Sequence, residues 1–467
     1  MKIPSERPLR LITPPADAQY LKKPMLPREA VVRAYIRWLR NPLRIDTLAE
    51  RELSNSSWDE RDRRLYLELL YGVIRWKGRL DWLLEQLNVG RQSIRLEARA
   101  AAEVGLYQLL FLDRIPDWAA VDGVVETARR LGGPSSAGWT NAILRRVTRE
   151  RDYWKQAQPA PPQLEDYILS VHHSHPLWLV ARWRKNLPAD KLTAFLEWNN
   201  RRPKVSLRVN RLKTTAQDLL DELKNQGFAA AQHLFNPDFV VLEHKSDVHK
   251  LNLLNEGRAI AQDVGQGFVS ILLGPQPGEE ILDLCAAPGG KTTHLAQLCS
   301  ECRIVATDRS EERLALVSQA VRRCGCPNVE ILAYDEVINS KWQFDAVLVD
   351  APCTGTGVLA RRADLRWRRQ PDDIPRMAGT QLNLLHYATD RLKPAGRIIY
   401  STCSVEPEEN WRVVERFLSE RRAFCISSKL NSIPVELFDA NRCLNILGPE
   451  CECDGVFAVS LVKGDTA

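Results

Sequence analysis

A chain of 467 residues exceeds one typical domain, so two to four units are expected. Its 44% apolar and 27% charged content fits a globular fold, and residues 1–27 mix Lys2, Arg7, Arg10, Lys22 and Lys23 with prolines and no long apolar run. That pattern argues against a secretory signal or a membrane span, and a cytoplasmic protein without a membrane partner is expected.

From Pro27 to about Glu150 the apolar spacing is helical, with Leu65, Leu69, Leu70, Val73 and Ile74 on one face and Val104, Tyr107 and Phe111 on another. An all-helical domain is predicted over 1–156, ended by the polar, proline-bearing stretch 158–163. Residues 157–255 are predicted to hold this linker and a small α+β subdomain. Its signals are a strand at Val205–Val209, an amphipathic helix at Thr215–Gln226 and a strand at Phe239–Leu242. From about 256 to 467 apolar strands alternate with helices, the pattern of a mostly parallel, doubly wound α/β sheet.

Within that last part, Glu280–Leu284 reads as a first strand and Cys285-Ala286-Ala287-Pro288-Gly289-Gly290-Lys291 as the loop entering a helix. Small residues let backbone N–H groups approach a ligand, and a helix N-terminus favours a carboxylate or phosphate. The loop is neither a P-loop nor the usual dinucleotide fingerprint. A second strand, Arg303–Thr307, ends at Asp308, placed to accept from a ribose. A third, Val329–Leu332, precedes Asp335, which can meet an adenine amino group. Each acid alone reads as a helix cap or surface charge, but their ordered recurrence at strand ends indicates a nucleoside cofactor.

Two cysteines follow apolar runs: Cys353 in Asp350-Ala351-Pro352-Cys353 and Cys403 in Ser401-Thr402-Cys403-Ser404. If Phe344–Val349 and Arg397–Tyr400 are neighbouring parallel strands, about 5 Å apart, both thiols face one crevice. Cytosine C5 is too electron-poor to take a methyl group until a nucleophile adds at C6. One thiolate adds there and a second group assists proton removal and release. A free cysteine is more often a small buried hydrophobe, so the pair carries more weight than either member.

Other cysteines occur as Cys299/Cys302, Cys324/Cys326 and Cys451/Cys453, without the partner spacing of a zinc ribbon and far from His172, His173 and His175. No metal is expected. Arginines crowd at Arg361, Arg362, Arg366, Arg368 and Arg369 and at Arg145, Arg146, Arg149 and Arg151, which tilts the mild net charge of +6 toward a nucleic-acid partner.

The segments Asp283–Lys291, Asp350–Gly357 and Tyr400–Ser404, in this order, resemble the motifs of RNA 5-methylcytosine methyltransferases of the Nol1/Nop2/Sun type, which use S-adenosylmethionine. Leu70–Trp76, Leu106–Leu110, Arg114–Pro116 and Asn141–Arg146 resemble the NusB-like domain fused to the ribosomal RNA branch of that family, the RsmB/Sun/Fmu type. The resemblance implies an all-helical NusB-like RNA-binding domain, an RRM-like α+β subdomain and a Rossmann-like methyltransferase domain. It further implies a monomeric enzyme that methylates a cytosine of small-subunit ribosomal RNA.

Carried over by motif, Cys403 is the nucleophile, Cys353 assists proton removal or product release, and Asp350 holds the cytosine edge. Cys285, Ala286, Ala287, Pro288, Gly289, Gly290, Lys291, Asp308, Asp335 and Asp350 line the S-adenosylmethionine site, with Lys291 directed to cofactor or target backbone. Thr354 stands where serine is commoner, and Arg362-Ala363-Asp364 where His-Pro-Asp is usual. The alternatives are the same chemistry on transfer RNA or another rRNA site, and an RNA-binding assembly factor with a vestigial catalytic half.

Overall fold

The computed structural model describes residues 25–88, 93–159, 165–243 and 251–463. Most of the basic, proline-bearing start of the chain and residues 160–163 of the expected linker lie outside the described residues. The chain forms two compact units, one of residues 1–200 with 362–368, the other of residues 201–361 with 369–467.

The first unit is helical. The helix Leu96–Phe111 is buried on nearly every side, and Pro27–Arg40, Glu60–Arg75 and Asp117–Arg149 pack around it. Leu69, Leu70, Val73 and Ile74 are fully buried, each contributing about 1.5–3 kcal/mol of transfer free energy. The long helix Asp117–Arg149 is interrupted at Gly133, whose φ of 81° glycine adopts without steric cost, just before Pro134.

Three further helices, Glu165–His172, Leu177–Asn186 and Ala189–Asn200, belong to this compact unit, which extends to Asn200. Leu179, Val180, Trp183, Phe195 and Leu196 supply their buried faces at helical spacing. Arg366 and Trp367 are also part of the unit. The guanidinium of Arg366 is fully buried and donates to Ser174 O, Asn199 O and Asn200 Oδ1, while Trp367 Nε1 donates to Ile74 O at 2.8 Å.

The second unit holds two sheets. The smaller comprises β1 (Val205–Val209), β2 (Ala230–Gln232), β3 (Phe239–Leu242) and β4 (Ala259–Ala261), all antiparallel in the order β2-β3-β1-β4, with the helix Ala216–Asn225 packed on it. The larger contains β5 (Glu280–Asp283), β6 (Arg303–Ala306), β7 (Val329–Ile331), β8 (Phe344–Asp350), β9 (Leu392–Thr402), β10 (Phe424–Ile426), β11 (Leu444–Ile446) and β12 (Val456–Lys463). Its order is β10-β12-β9-β8-β5-β6-β7, with β11 paired to β12. From β9 to β7 all pairs are parallel, whereas β12 pairs antiparallel with its neighbours.

The chain fills the sheet outward through β5, β6 and β7 and then returns to the other side of β5 with β8. That reversal creates a crevice beyond the carboxyl ends of β5 and β8, where ligands bind in such sheets. The strands forming it are near-continuous apolar runs because both faces are covered: Ile281, Leu282, Val347, Leu348, Ile398 and Ile399 are all fully buried. Among the described residues, no helix is long and apolar enough to cross a membrane.

Candidate active site

Strand β8 delivers Asp350 and β9 delivers Ser401 in direct register, and Ser401 Oγ donates to Asp350 Oδ1 at 2.8 Å. Beyond these ends the chain turns into the loops carrying Cys353 and Cys403. Gly357 N donates to Cys403 O at 3.0 Å, and a Cβ on Gly357 would stand 2.9 Å from that oxygen, so glycine permits the close approach of the loops. The outcome is a contact between the thiols, Cys353 Sγ and Cys403 Sγ being 2.9 Å apart and partly buried. The hydrogen bond with Cys403, then burial, then the nearby Glu409 carboxylate push the Cys353 thiol well above its ordinary range.

Across the reversal point, the helix Gly290–Leu298 brings in Lys291 on its first turn. Gly289 caps this helix with a φ of 100°, and its position against Val317 and Ala320 leaves little room for a side chain. The buried Lys291 ammonium donates to Asp350 Oδ2 at 2.6 Å and to Gln266 Oε1. Lys291, expected to face cofactor or target backbone, thus meets an acid of its own chain at the end of β8.

The expected cofactor residues line the ends of β5 to β8. The Cys285–Gly290 loop follows β5, with Ala287 N donating to Asp308 Oδ2 at 3.2 Å. Asp308 is buried at the end of β6, and Asp335 is exposed on the first turn of the helix Tyr334–Asn339, just past β7. Burial pushes the Cys285 thiol up, leaving it a poor nucleophile.

Asp283, at the end of β5, was not foreseen as a site residue. One of its oxygens accepts from Thr292 Oγ1 at 2.7 Å, while the other is buried and unpartnered. Burial foremost, with a contribution from Asp350, raises its carboxyl to about 7. An orphan buried acceptor of this kind suits a ligand carrying a cationic amino group, which S-adenosylmethionine has, so the residues present fit that cofactor.

Further residues went unread in the sequence. Arg208 on β1 is fully buried and reaches Gly290 O at 2.5 Å, Thr293 Oγ1 at 2.8 Å and Gln262 Oε1, fixing the turn on which Lys291 sits. Burial lowers its guanidinium to about 10. An arginine inside the apolar strand Val205–Val209 was the available signal. Glu409, six positions past Cys403, is fully buried among the cysteine loops.

The arginines between 361 and 369 have partners that the sequence did not show. Arg361 is held by Asp263 at 2.7 Å and Asp454 at 2.8 Å, Arg368 by Asp364 at 2.9 Å, and Arg369 by the carbonyls of Thr354 and Cys353. With Arg366 buried as well, four of the five arginines have partners within the chain and only Arg362 is exposed. Sequence spacing shows a run of charge but not the acids and carbonyls that tertiary folding brings to it. All eleven cysteines are free, and among the described residues no group of three or more His, Cys, Asp or Glu side chains is arranged to hold a metal.

Residues 270–462 match the model of the 16S rRNA methyltransferase RsmB/F family, residues 25–149 the NusB family, and residues 175–249 the ferredoxin-like domain of RsmF/B-like methyltransferases. Ribosomal RNA small subunit methyltransferase B of Escherichia coli O7:K1 is 37% identical over 368 residues, covering 77% of this chain and 82% of that protein. The crystal structure of PH0851 superposes with a TM-score of 0.75 at 27% identity, over 95% of this chain and 100% of that one. A methyltransferase homologue from Pyrococcus horikoshii gives a TM-score of 0.55 at 26% identity, over 65% of this chain and 100% of that one. Extent of identity, motif order and domain succession together place the chain in the RsmB/F family of 16S rRNA methyltransferases, which use S-adenosylmethionine.

Proposed function

We propose that the protein methylates C5 of one cytosine in small-subunit ribosomal RNA, in the cytoplasm, through a covalent bond between Cys403 and C6. The observation that carries this reading is the 2.9 Å contact between Cys353 and Cys403 beside the Asp350 carboxylate. Two thiols in contact supply one nucleophile and one proton carrier, which a simple methyl acceptor with its own lone pair does not need.

Cys403 adds as thiolate to C6, and the electron pair of the C5–C6 bond becomes available at C5. The Cys285–Lys291 loop, with Asp308 and Asp335, would hold S-adenosylmethionine, which when bound would supply the methyl group to C5. Asp350 holds the cytosine edge and supports charge at N3, with Lys291 and Ser401 fixing its two oxygens. Cys353 then assists loss of the C5 proton, the C5–C6 double bond re-forms, and Cys403 leaves with its electron pair. The NusB-family helices supply the RNA-holding surface, where Arg145 and Arg149 stay exposed.

The test is transfer of labelled methyl to unmodified 16S rRNA and, in parallel, to unmodified tRNA, with the product base mapped. One labelled rRNA cytosine, modified at C5, is expected. Label in tRNA alone would overturn the substrate, and label at another ring position would overturn the mechanism.

A further inference from the structure

Glu409 occupies an unusual place for a carboxylate. It is fully buried, and its partners are neutral donors from three segments. Oε2 accepts from Thr354 N at 2.9 Å and from Gln381 Nε2 at 2.9 Å, and Oε1 accepts from Ser404 Oγ at 2.7 Å and from the Thr354 hydroxyl. Thr354 directly follows Cys353, and Ser404 directly follows Cys403. The same Gln381 amide donates to Pro352 O at 2.9 Å, on the other side of Cys353.

A buried carboxylate held only by neutral groups is costly, and burial raises it above the ordinary carboxylate range. Its four hydrogen bonds offset that cost and tie together two loops fifty residues apart. The loops also meet directly: the hydroxyls of Thr354 and of Thr356 each lie 3.2 Å from Ser404 Oγ, Val405 N donates to Thr356 Oγ1 at 3.1 Å, and Gly357 N meets Cys403 O, so Glu409 braces a contact that the loops also make themselves.

We propose that Glu409 is a positioning residue of the methyl-transfer site, its carboxylate holding Thr354 and Ser404 so that Cys353 and Cys403 stay in contact. The inference rests on the two-thiol chemistry proposed above. Glu409 meets no substrate in this role; it acts through the loops. Thr354 adds a second contact by its hydroxyl, so threonine at this position serves the same hold as serine.

The test pairs steady-state kinetics on S-adenosylmethionine and unmodified 16S rRNA with the thiol–disulfide equilibrium of Cys353 and Cys403, read by mass spectrometry in glutathione redox buffers. Glu409→Ala is expected to lower kcat at least tenfold without changing either KM. It is also expected to move the equilibrium about tenfold toward the dithiol, about 30 mV in potential. Glu409→Gln keeps an acceptor for Thr354 N and Gln381 and offers a donor to two hydroxyls able to accept it, so it is expected to recover most of both losses.

Should Glu409→Ala fail to fold, Thr354→Val removes the hydroxyl with its contacts to Glu409 and Ser404 while keeping the Thr354 N bond to Glu409, and is expected to shift both readouts in the same direction by less. An unchanged thiol equilibrium in Glu409→Ala would overturn the proposal, whatever the rate. So would a Gln variant no better than Ala in both readouts. A shifted equilibrium with unchanged kcat would leave Glu409 as the holder of the pair and overturn the two-thiol chemistry instead.

Discussion

Cys353 and Cys403 sit fifty positions apart in the chain, yet their sulfurs are 2.9 Å apart. The parallel pairing of β8 with β9 places Asp350 beside Ser401, and each strand releases its cysteine two or three residues later. The carboxyl ends of two neighbouring central strands thus convert two short motifs into one reactive pair.

Replacing Cys403 by Ala is expected to lower methyl transfer by roughly a thousandfold or more, as removal of a covalent nucleophile does. S-adenosylmethionine affinity, measured by calorimetry, is expected to stay unchanged, because the donor loop is Cys285–Lys291. Turnover near the wild-type rate would remove Cys403 from its role.

Cys353→Ala keeps the nucleophile and deletes the neighbour that assists proton loss and release. A denaturation-resistant RNA–protein adduct is expected to accumulate, visible as a shifted band on a denaturing gel. Normal turnover by this variant, with no adduct on RNA that the wild type methylates, would mean that release does not use Cys353.

Asp283 ties stability to pH. Its folded carboxyl titrates at about 7 because burial favours the neutral form, whereas an unfolded aspartate titrates near ~3.9. The native state therefore binds more protons between these values. Its contribution is complete below about pH 4 and is lost as pH rises toward 7.

Asp283→Asn is expected to flatten the fall in melting temperature between about pH 4 and 7 in cofactor-free protein. The cationic cofactor favours the ionised acid, so the same variant is expected to bind S-adenosylmethionine roughly tenfold more weakly at pH 8, about 1.4 kcal/mol. Melting curves parallel to wild type across that range would show that Asp283 does not titrate there.

The arginines divide by environment. Arg366→Ala removes the donor from two buried carbonyls and the half-buried Asn200 amide oxygen of the helical unit and is expected to cost about 3 kcal/mol in stability. Arg145→Ala with Arg149→Ala is expected to leave stability unchanged and reduce the slope of log affinity for rRNA against log salt by about 1 per residue removed. An unchanged slope would place the RNA elsewhere.

Much of the methyltransferase part was legible because parallel strands covered on both faces are written as apolar runs. Glu280–Leu284, Arg303–Thr307 and Phe344–Val349 anticipate β5, β6 and β8 to within a residue or two. Strand β9 pairs regularly with β8 from Arg397, as expected, while Lys393-Pro394-Ala395-Gly396 bulges out between Leu392 and Arg397, with Ala395 at a φ of 62°. The helices from Glu165 to Asn200 were hidden behind a proline-bearing stretch that reads as a linker.

Within the site, motif residues are legible because their chemistry is unusual, whereas supporting residues are not. Glu409 lies in Pro407-Glu408-Glu409-Asn410, which in sequence looks like a solvated helix entry, and only the fold buries it. Arg366 and Arg369 mislead in the opposite sense, as charges whose partners are carbonyls invisible to spacing.

The most direct measurement is covalent trapping on 16S rRNA transcribed with 5-fluorocytidine, in which fluorine at C5 blocks proton loss. With S-adenosylmethionine present, a stable complex is expected, and its digested peptide should carry the nucleotide on Cys403. Attachment to Cys353, or no covalent complex from an enzyme that methylates the unfluorinated transcript, would contradict the assignment of Cys403 as the nucleophile at C6.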